Sequence, residues 1–321
     1  MNIAYKILEA TEKSAIAASQ WIGSGLDKCN NADNSATIQS KKILNQIPFY
    51  AKVIIGEGIK DNAPGLLTGD LVGQYVSKDI HTHRINNTNY ELAADVIDGT
   101  KLTVNGLPGA ISVIVISLEN SIYETNNFYQ KKIVYNKTTK KYLWKNSDDD
   151  FRLIRFSIKE IVDVLCMSLN KTKNDLTICL LDRPRNQKFI DEFRKCGCRL
   201  QLISDGDITN AISVCIDEYP VDLLYGIGGA PEGVISSSAI KGLGGGIEVY
   251  DVDKNFKMKG KILNENDLVS QESVFCATGI TSGQFLKGVK ISSDRMYTNS
   301  VMINSHTKEI RWFNVEHKKQ V

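Results

Sequence analysis

Carboxylates beside glycine or threonine recur at four places in this chain: Asp33 in NNADNS, Glu57 and Asp61 in GEGIKDNAPG, Asp95 and Asp98 in DVIDGT, and Glu232 in GGAPEG. Where such a carboxylate ends a strand, the glycine after it lets a ligand approach the backbone. Hard oxygen donors without histidine or cysteine select Mg²⁺ or Mn²⁺. DVIDGT is the strongest local signal. Asp95 and Asp98 can ligate neighbouring ions while Thr100 offers its hydroxyl to the water between them. Two cations about 3.5–4 Å apart activate such a water and neutralise a leaving alkoxide in an in-line displacement. Each motif alone has a plainer reading, because Asp-Gly is ordinarily a turn and a strand-end aspartate can cap a helix.

GIGGAPEG combines glycines, a proline at a first helical turn and a helix N-terminus, an arrangement that suits an oxyanion. Glu232 is electrostatically comfortable in that turn without any metal. The run does not fit the dinucleotide pattern G-x-G-x-x-G. Arg183 and Arg185 flank Pro184, which stiffens a turn from which a guanidinium can grip a phosphate through two parallel contacts. Asp205 and Asp207 in SDGD can accept protons from sugar hydroxyls, or cap the helix beginning near Ile208. His81, His83, His306 and His317 have no carboxylate or cysteine at ligand spacing, and neither a G-x-S-x-G elbow nor a P-loop is present.

The elements that must position these groups follow from periodicity. Ile7, Leu8, Ala15, Ala18 and Ile22 share one helical face, SGLDKCNNADN reads as a polar loop, and a second helix is expected from about Ser35 to Leu44. AKVIIGEG reads as a strand delivering Glu57 to its carboxyl end, and YELAADVIDGT and GAISVIVISL as two more strands. The polar stretches 78–89 and 136–150 suit a surface loop and an exposed hairpin tip. Ser157 and Glu160 form a capping box before IVDVLCMSL. Beyond it three strand-helix units follow, LTICLLD to GVISSSAIKGLGG, which predict a parallel sheet whose loops DRPR, SDGD and GIGGAPEG open on one edge.

The bulk numbers set limits. The chain has 321 residues, 39 basic and 37 acidic, so its charge gives no reason to expect nucleic acid or a membrane as partner. No apolar run of about 18 residues is present to span a bilayer, and the first residues lack a signal-peptide core. A soluble, cytoplasmic protein is expected. The seven cysteines show no paired framework and read as buried thiols in a reducing compartment.

Taken in order, the segments AIAASQWIG, VIIGEG..D.AP, D.IDGT with T.NGLPGAISVI, FYQKKIV, LDRPR, LISDGD, YGIGGAPEGVISSSAIKGLGGG and FCATGITSGQFLKGVK resemble the class II fructose-1,6-bisphosphatases of the lithium-sensitive sugar and inositol phosphatase superfamily. The resemblance implies metal ligation by Asp33, Glu57, Asp95, Asp98 and Glu232, with two or more Mg²⁺ or Mn²⁺ ions. It implies that Asp61 and Thr100 assist the attacking water. It also implies substrate contacts from Lys28, Gly99, Thr100, Tyr129, Arg183, Pro184, Arg185, Asp205, Gly206, Asp207 and Gly229. The chain departs from the family pattern at Val96 and Ile59, neither of them an expected ligand. The implied fold is α/β, a layered α-β-α-β-α arrangement with a mixed sheet in residues 1–155 and a parallel sheet in residues 156–321. The implied reaction is hydrolysis of the 1-phosphate of fructose 1,6-bisphosphate by a homodimer or homotetramer. Sedoheptulose 1,7-bisphosphate, inositol monophosphate and noncatalytic metabolite binding are the alternatives.

Overall fold

The computed structural model describes residues 3–56, 66–77, 89–125, 127–146 and 151–319. Its contacts divide the chain into Met1–Glu124 with Val269–Val321, and Thr125–Leu268. This division differs from the border expected at 155/156. The cause is long-range pairing: β11 (Ser273–Gly279) returns to hydrogen-bond along β4 (Ile111–Leu118), from Ser273↔Ser117 to Gly279↔Ile111.

In the first unit, α1 (Ile3–Ser19) and α2 (Cys29–Leu44) share a core with a mixed sheet. Among the described residues that sheet runs β12 (Lys290–Ile291), β13 (Arg295–Asn304), β11, β4, β3 (Asn89–Asp98), β1 (Tyr50–Ile55) and β2 (Leu71–Val72), with β14 (Ile310–Lys318) added to β13. β4 is buried along its length except at Leu118, as its unbroken apolar run predicts. On α1 the expected face, Ile7, Leu8, Ala15 and Ala18, is buried. Ile22 is not part of it: the helix stops at Ser19 and Ile22 is 41% exposed. After α1 the chain is held by Gly23 and Gly25, whose N–H groups donate to the carbonyls of Thr103 and Val104 at the end of α3 (Thr100–Val104). The Thr103 carbonyl also accepts the Gly106 N–H at 3.0 Å, so it ties the end of α3 to both segments.

Two expectations about helices change. α2 starts at Cys29, not near Ser35, so Asp33 lies within the helix rather than ahead of it. The polar segment expected as a hairpin tip is α4 (Lys137–Asn146), started by the Asn136 side chain, which accepts the Thr139 N–H at 3.0 Å, and anchored by buried Thr139 and Leu143.

The second unit holds a sheet in the order β10 (Met258–Asn264), β9 (Gly246–Val252), β5 (Tyr129–Tyr135), β8 (Leu223–Gly229), β6 (Thr177–Leu181), β7 (Arg199–Ile203). The expected parallel arrangement is confined to β7, β6 and β8; β5, β9 and β10 are antiparallel, making the sheet mixed. The helix α5 (Ile158–Leu169) starts at the expected capping box, α6 (Gln187–Cys196) and α8 (Ala230–Leu243) fall where the strand-helix period placed them, and α7 (Asp207–Ser213) starts near Ile208 as expected but is shorter than the segment ITNAISVCIDEY expected for it. α9 (Glu265–Leu268) ends the unit. Gly197 closes α6 in the left-handed conformation, φ 87°. All seven cysteines are free, three buried and four partly exposed. Among the described residues no helix is long and apolar enough to cross a membrane.

The capping box of α5 is complete: the Ser157 hydroxyl accepts the Glu160 N–H and the Glu160 carboxylate accepts the Ser157 N–H at 2.9 Å. Ser157→Ala is expected to lower unfolding free energy by about 1 kcal/mol, read from the urea midpoint. An unchanged midpoint would show that solvent replaces the cap.

Candidate functional site

The carboxylates of the first unit gather at the end of β3. The β3–β4 register passes from Asp95↔Val113 to Asp98↔Ile111, so three positions on β3 match two on β4. The resulting bulge bends the strand where its acidic residues stand. Asp95 Oδ1 accepts the Ile97 N–H at 3.1 Å. Asp98 is 4% exposed. Gly99 then turns the chain at φ 93°, a conformation that disfavours other residues and that lets α3 begin at once with Thr100.

Thr100 connects this turn to α2. Its hydroxyl donates to Asp33 Oδ1 at 2.8 Å across 67 positions of sequence. Asp33 is 8% exposed, so a helix interior delivers this carboxylate to the strand end. The sequence predicted both residues, and the structure joins them directly. Lys28 stands at the start of α2 and pairs with exposed Asp27 at 3.0 Å, which holds the Asp27 carboxyl below its usual range. Glu57 and Asp61 lie outside the described residues. Among those described, no group of three or more His, Cys, Asp and Glu side chains has the arrangement of a metal centre.

The second unit's candidates surround the end of β8, and the glycines of GIGG explain how they fit. A β-carbon on Gly226 would meet the Asn186 side chain, one on Gly228 the Asp207 and Lys132 side chains, and one on Gly229 the Glu232 carboxylate. The strand is stripped of side chains so that polar groups from other elements can lie against its backbone.

Asn186, fully buried, donates to the carbonyls of Leu181 and Ile227 at 3.0 and 3.2 Å and accepts the Ile227 N–H at 2.8 Å. β6 and β8 pair only at Ile178↔Leu223 and Cys179↔Leu224. Past that point Asn186 takes the place of a strand neighbour. Arg185 joins it, donating from Nε to the Ile227 carbonyl at 2.9 Å while its guanidinium carbon sits 4.5 Å from the Tyr129 ring centroid. Arg185 and Tyr129, both predicted, are thus brought together as a cation stacked on an aromatic face. Pro184 begins the short turn Pro184–Asn186, and Arg183 contacts the Asp182 carbonyl at 3.3 Å.

Lys132 Nζ lies 2.6 Å from Asp207 Oδ2, with side-chain exposures of 4% and 8%. Asp207 opens α7 after Gly206, φ 75°, and Asp205 precedes it, half-buried. Glu232 lies in the first turn of α8 behind Gly229. Its Oε2 is buried with no hydrogen-bond partner, and burial raises its proton affinity, with Asp207 adding to the rise and Lys132 opposing it. An orphaned, buried carboxylate oxygen in an all-oxygen donor set fits a hard divalent cation.

Sequence reasoning missed Lys132 and Asn186. A signal for Lys132 was available, because adjacent lysines inside the apolar strand YQKKIVY must face opposite sides. Lys132 enters the polar cluster. Lys131 lies 4.8 Å over the Tyr225 ring, and burial brings its ammonium down to about 8. Lys132→Met is expected to destabilise the protein by about 3–5 kcal/mol by stranding the buried Asp207 charge. Lys132→Met with Asp207→Asn is expected to cost less than the sum of the two single changes, in thermal or urea unfolding. Additive losses would show that the two groups act independently.

The chain matches, over residues 1–317, the family model described as bacterial fructose-1,6-bisphosphatase, glpX-encoded. It is 32% identical to the class 2 fructose-1,6-bisphosphatase of Haemophilus influenzae, covering 96% of this chain and 94% of that protein. Two proteins named D-fructose 1,6-bisphosphatase class 2/sedoheptulose 1,7-bisphosphatase are also similar. The one from Synechocystis sp. is 30% identical over 99% of this chain and 97% of its own length. The one from Thermosynechococcus vestitus is 32% identical over 98% and 95%. With a match that runs almost end to end, the chain belongs to the bacterial, glpX-encoded fructose-1,6-bisphosphatase family.

Proposed function

We propose that this chain, a phosphoric monoester hydrolase, removes the 1-phosphate of fructose 1,6-bisphosphate to give fructose 6-phosphate and inorganic phosphate, as in gluconeogenesis. The nearly full-length family match carries this reading. The buried Glu232 oxygen and the Asp33–Thr100 hydrogen bond support it.

The proposed donors for two or more Mg²⁺ or Mn²⁺ ions are Asp33, Glu57, Asp95, Asp98 and Glu232. Bound ions would supply Lewis-acid polarisation of the phosphate and a more acidic water. The chain's own groups orient the reactants. The Thr100 hydroxyl, committed to Asp33 as donor, keeps its lone pairs for a water proton, and Asp61 is the second proposed water-directing residue. Arg183 and Arg185 provide the positive charge for the distal phosphate, with Arg185 fixed by the Ile227 carbonyl and the Tyr129 ring. Lys132 holds the Asp207 carboxylate in place, so that the SDGD loop presents a constant shape to the sugar. Fixing the remote end in this way directs binding energy to the reacting phosphate.

Phosphate release from fructose 1,6-bisphosphate with Mg²⁺ or Mn²⁺ tests the proposal. Sedoheptulose 1,7-bisphosphate and inositol monophosphate serve as comparison substrates, and a folded chain that hydrolyses none of them refutes it. Asp98→Ala is expected to lower kcat/KM at least about 100-fold with the fold retained, and full activity would misplace the site. LiCl is expected to inhibit where equal KCl does not, and a flat LiCl series would contradict a shared metal mechanism.

A further inference from the structure

The two faces of the β13–β14 ladder are used differently. The hydroxyls of Thr298 and Ser300 reach Glu12 of α1, at 3.5 and 3.4 Å, so one face lies under that helix. Tyr297 and Asn299 alternate with them and share the other face with their ladder partners Glu316 and Asn314. That second face carries a cavity of about 480 Å³, within the range of small-molecule sites, whose lining includes Ser282, Lys287, Lys290, Tyr297, Asn314 and Glu316. Its wall is a loop tied to itself and to the strands. The Gly288 N–H donates to the Ser282 hydroxyl at 3.0 Å and the Val289 N–H to the Ile280 carbonyl at 3.1 Å. A β-carbon on Gly288 would meet the backbone of Ile280, Thr281 and Ser282, so the loop closes this tightly only with glycine there. The Lys287 N–H donates to Asn299 Oδ1 at 2.9 Å, and the Asn299 amide group donates to Asn314 Oδ1 at 3.1 Å.

The cavity holds donors that the protein leaves unspent. Among the described residues, the ammonium groups of Lys287 and Lys290 and the Tyr297 hydroxyl have no hydrogen bond or ion pair, and Lys290 Nζ lies 5.9 Å from the Tyr297 ring centroid. Ser282 Oγ and Asn314 Oδ1 act as acceptors within the wall, which leaves the hydroxyl proton and the amide N–H groups free to donate. Glu316, the carboxylate among the lining residues, is paired with Arg295 at 2.9 Å. The geometry points to a binding site for a small organic phosphate monoester, its phosphate held by Lys287 and Lys290 and its remaining oxygens by Tyr297, Ser282 and Asn314. Two uncommitted cations side by side suit a dianion. The space beyond them, bordered by neutral donors, suits an oxygen-rich carbon skeleton better than a lone inorganic ion. The same loop reaches the strand beside the acidic turn of the first unit. The Thr281 hydroxyl accepts the Ala110 N–H at 2.9 Å, the Ala110 carbonyl accepts the Ile280 N–H at 2.8 Å, and the next residue, Ile111, is the register partner of Asp98. An occupant that stiffens the loop therefore also steadies the start of β4.

Lysine acylation of the full chain, read residue by residue by mass spectrometry, tests the site, with amide exchange as a second readout. The probe is ribose 5-phosphate without added divalent cation, and ribose and sulfate at matched ionic strength are the controls. Ribose 5-phosphate is expected to shield Lys287 and Lys290 while Lys188, 82% exposed in the second unit, reacts as before. It is also expected to slow exchange of the Gly288 and Ala110 amides, and ribose is expected to do neither. K287E/K290E is expected to weaken the probe's protection of the Gly288 amide at least about tenfold in concentration, with circular dichroism showing a folded chain, and K287R/K290R to retain it. Because both readouts are resolved by residue, a phosphate bound at the catalytic carboxylates does not mimic the result, and the outcome is independent of the proposed reaction. Lysines 287 and 290 that stay unshielded in the wild type, or that sulfate shields equally well, overturn the proposal. Full protection of Gly288 in K287E/K290E does so as well.

Discussion

A carboxylate withdrawn from water loses hydration worth several kcal/mol, and that loss must be met by positive charge or by donors fixed in place. Much of this chain's polar architecture answers that constraint. Asp207 is met by Lys132, Asp222 by Lys171, and Glu265 by Lys140. Glu91 is met by the N–H groups of Asn120, Ser121 and Ile122. Glu248 is met by the Tyr135 hydroxyl and the N–H groups of Leu153 and Ile154. Glu232 differs, since one of its oxygens is buried without a hydrogen-bond partner. Beside buried acids that are met by donors, this oxygen is the observation that supports the proposal of a bound cation.

The backbone is shaped to permit this density of polar groups. β8 ends in a glycine-rich run that can be neither a good strand nor a good helix by propensity. Its stability comes from pairing with β5 over seven residues and from Asn186, which supplies the hydrogen bonds of a missing neighbour. In the first unit the bulge after Asp95 and the left-handed Gly99 have a similar part. Regular β-structure gives way where the acidic residues and Thr100 leave the sheet.

What the sequence made legible was local. The capping box of α5, the Gly197 stop of α6 and the buried run of β4 depend on residues near one another, and each forms as expected. DVIDGT was legible for the same reason. The start of α2 was not, because CNNADNS reads as a loop. Its asparagines cost about 0.5–0.7 kcal/mol each against alanine, and tertiary contacts offset this: Ala32 and Ala36 are fully buried, and Trp21 donates to the Ser35 hydroxyl at 3.0 Å. The return of β11 to β4, the antiparallel strands beside β8 and the Lys132–Asp207 pair all join residues far apart in the chain. No periodicity records such pairings.

The central claim is that these carboxylates hold divalent cations, and calorimetric titration of Mn²⁺ into the purified chain measures it most directly. The account predicts uptake of two or more ions per chain, with at least one lost in Glu232→Gln while the fold is retained. A chain that binds no divalent ion, yet releases phosphate from fructose 1,6-bisphosphate in the presence of a chelator, would contradict it.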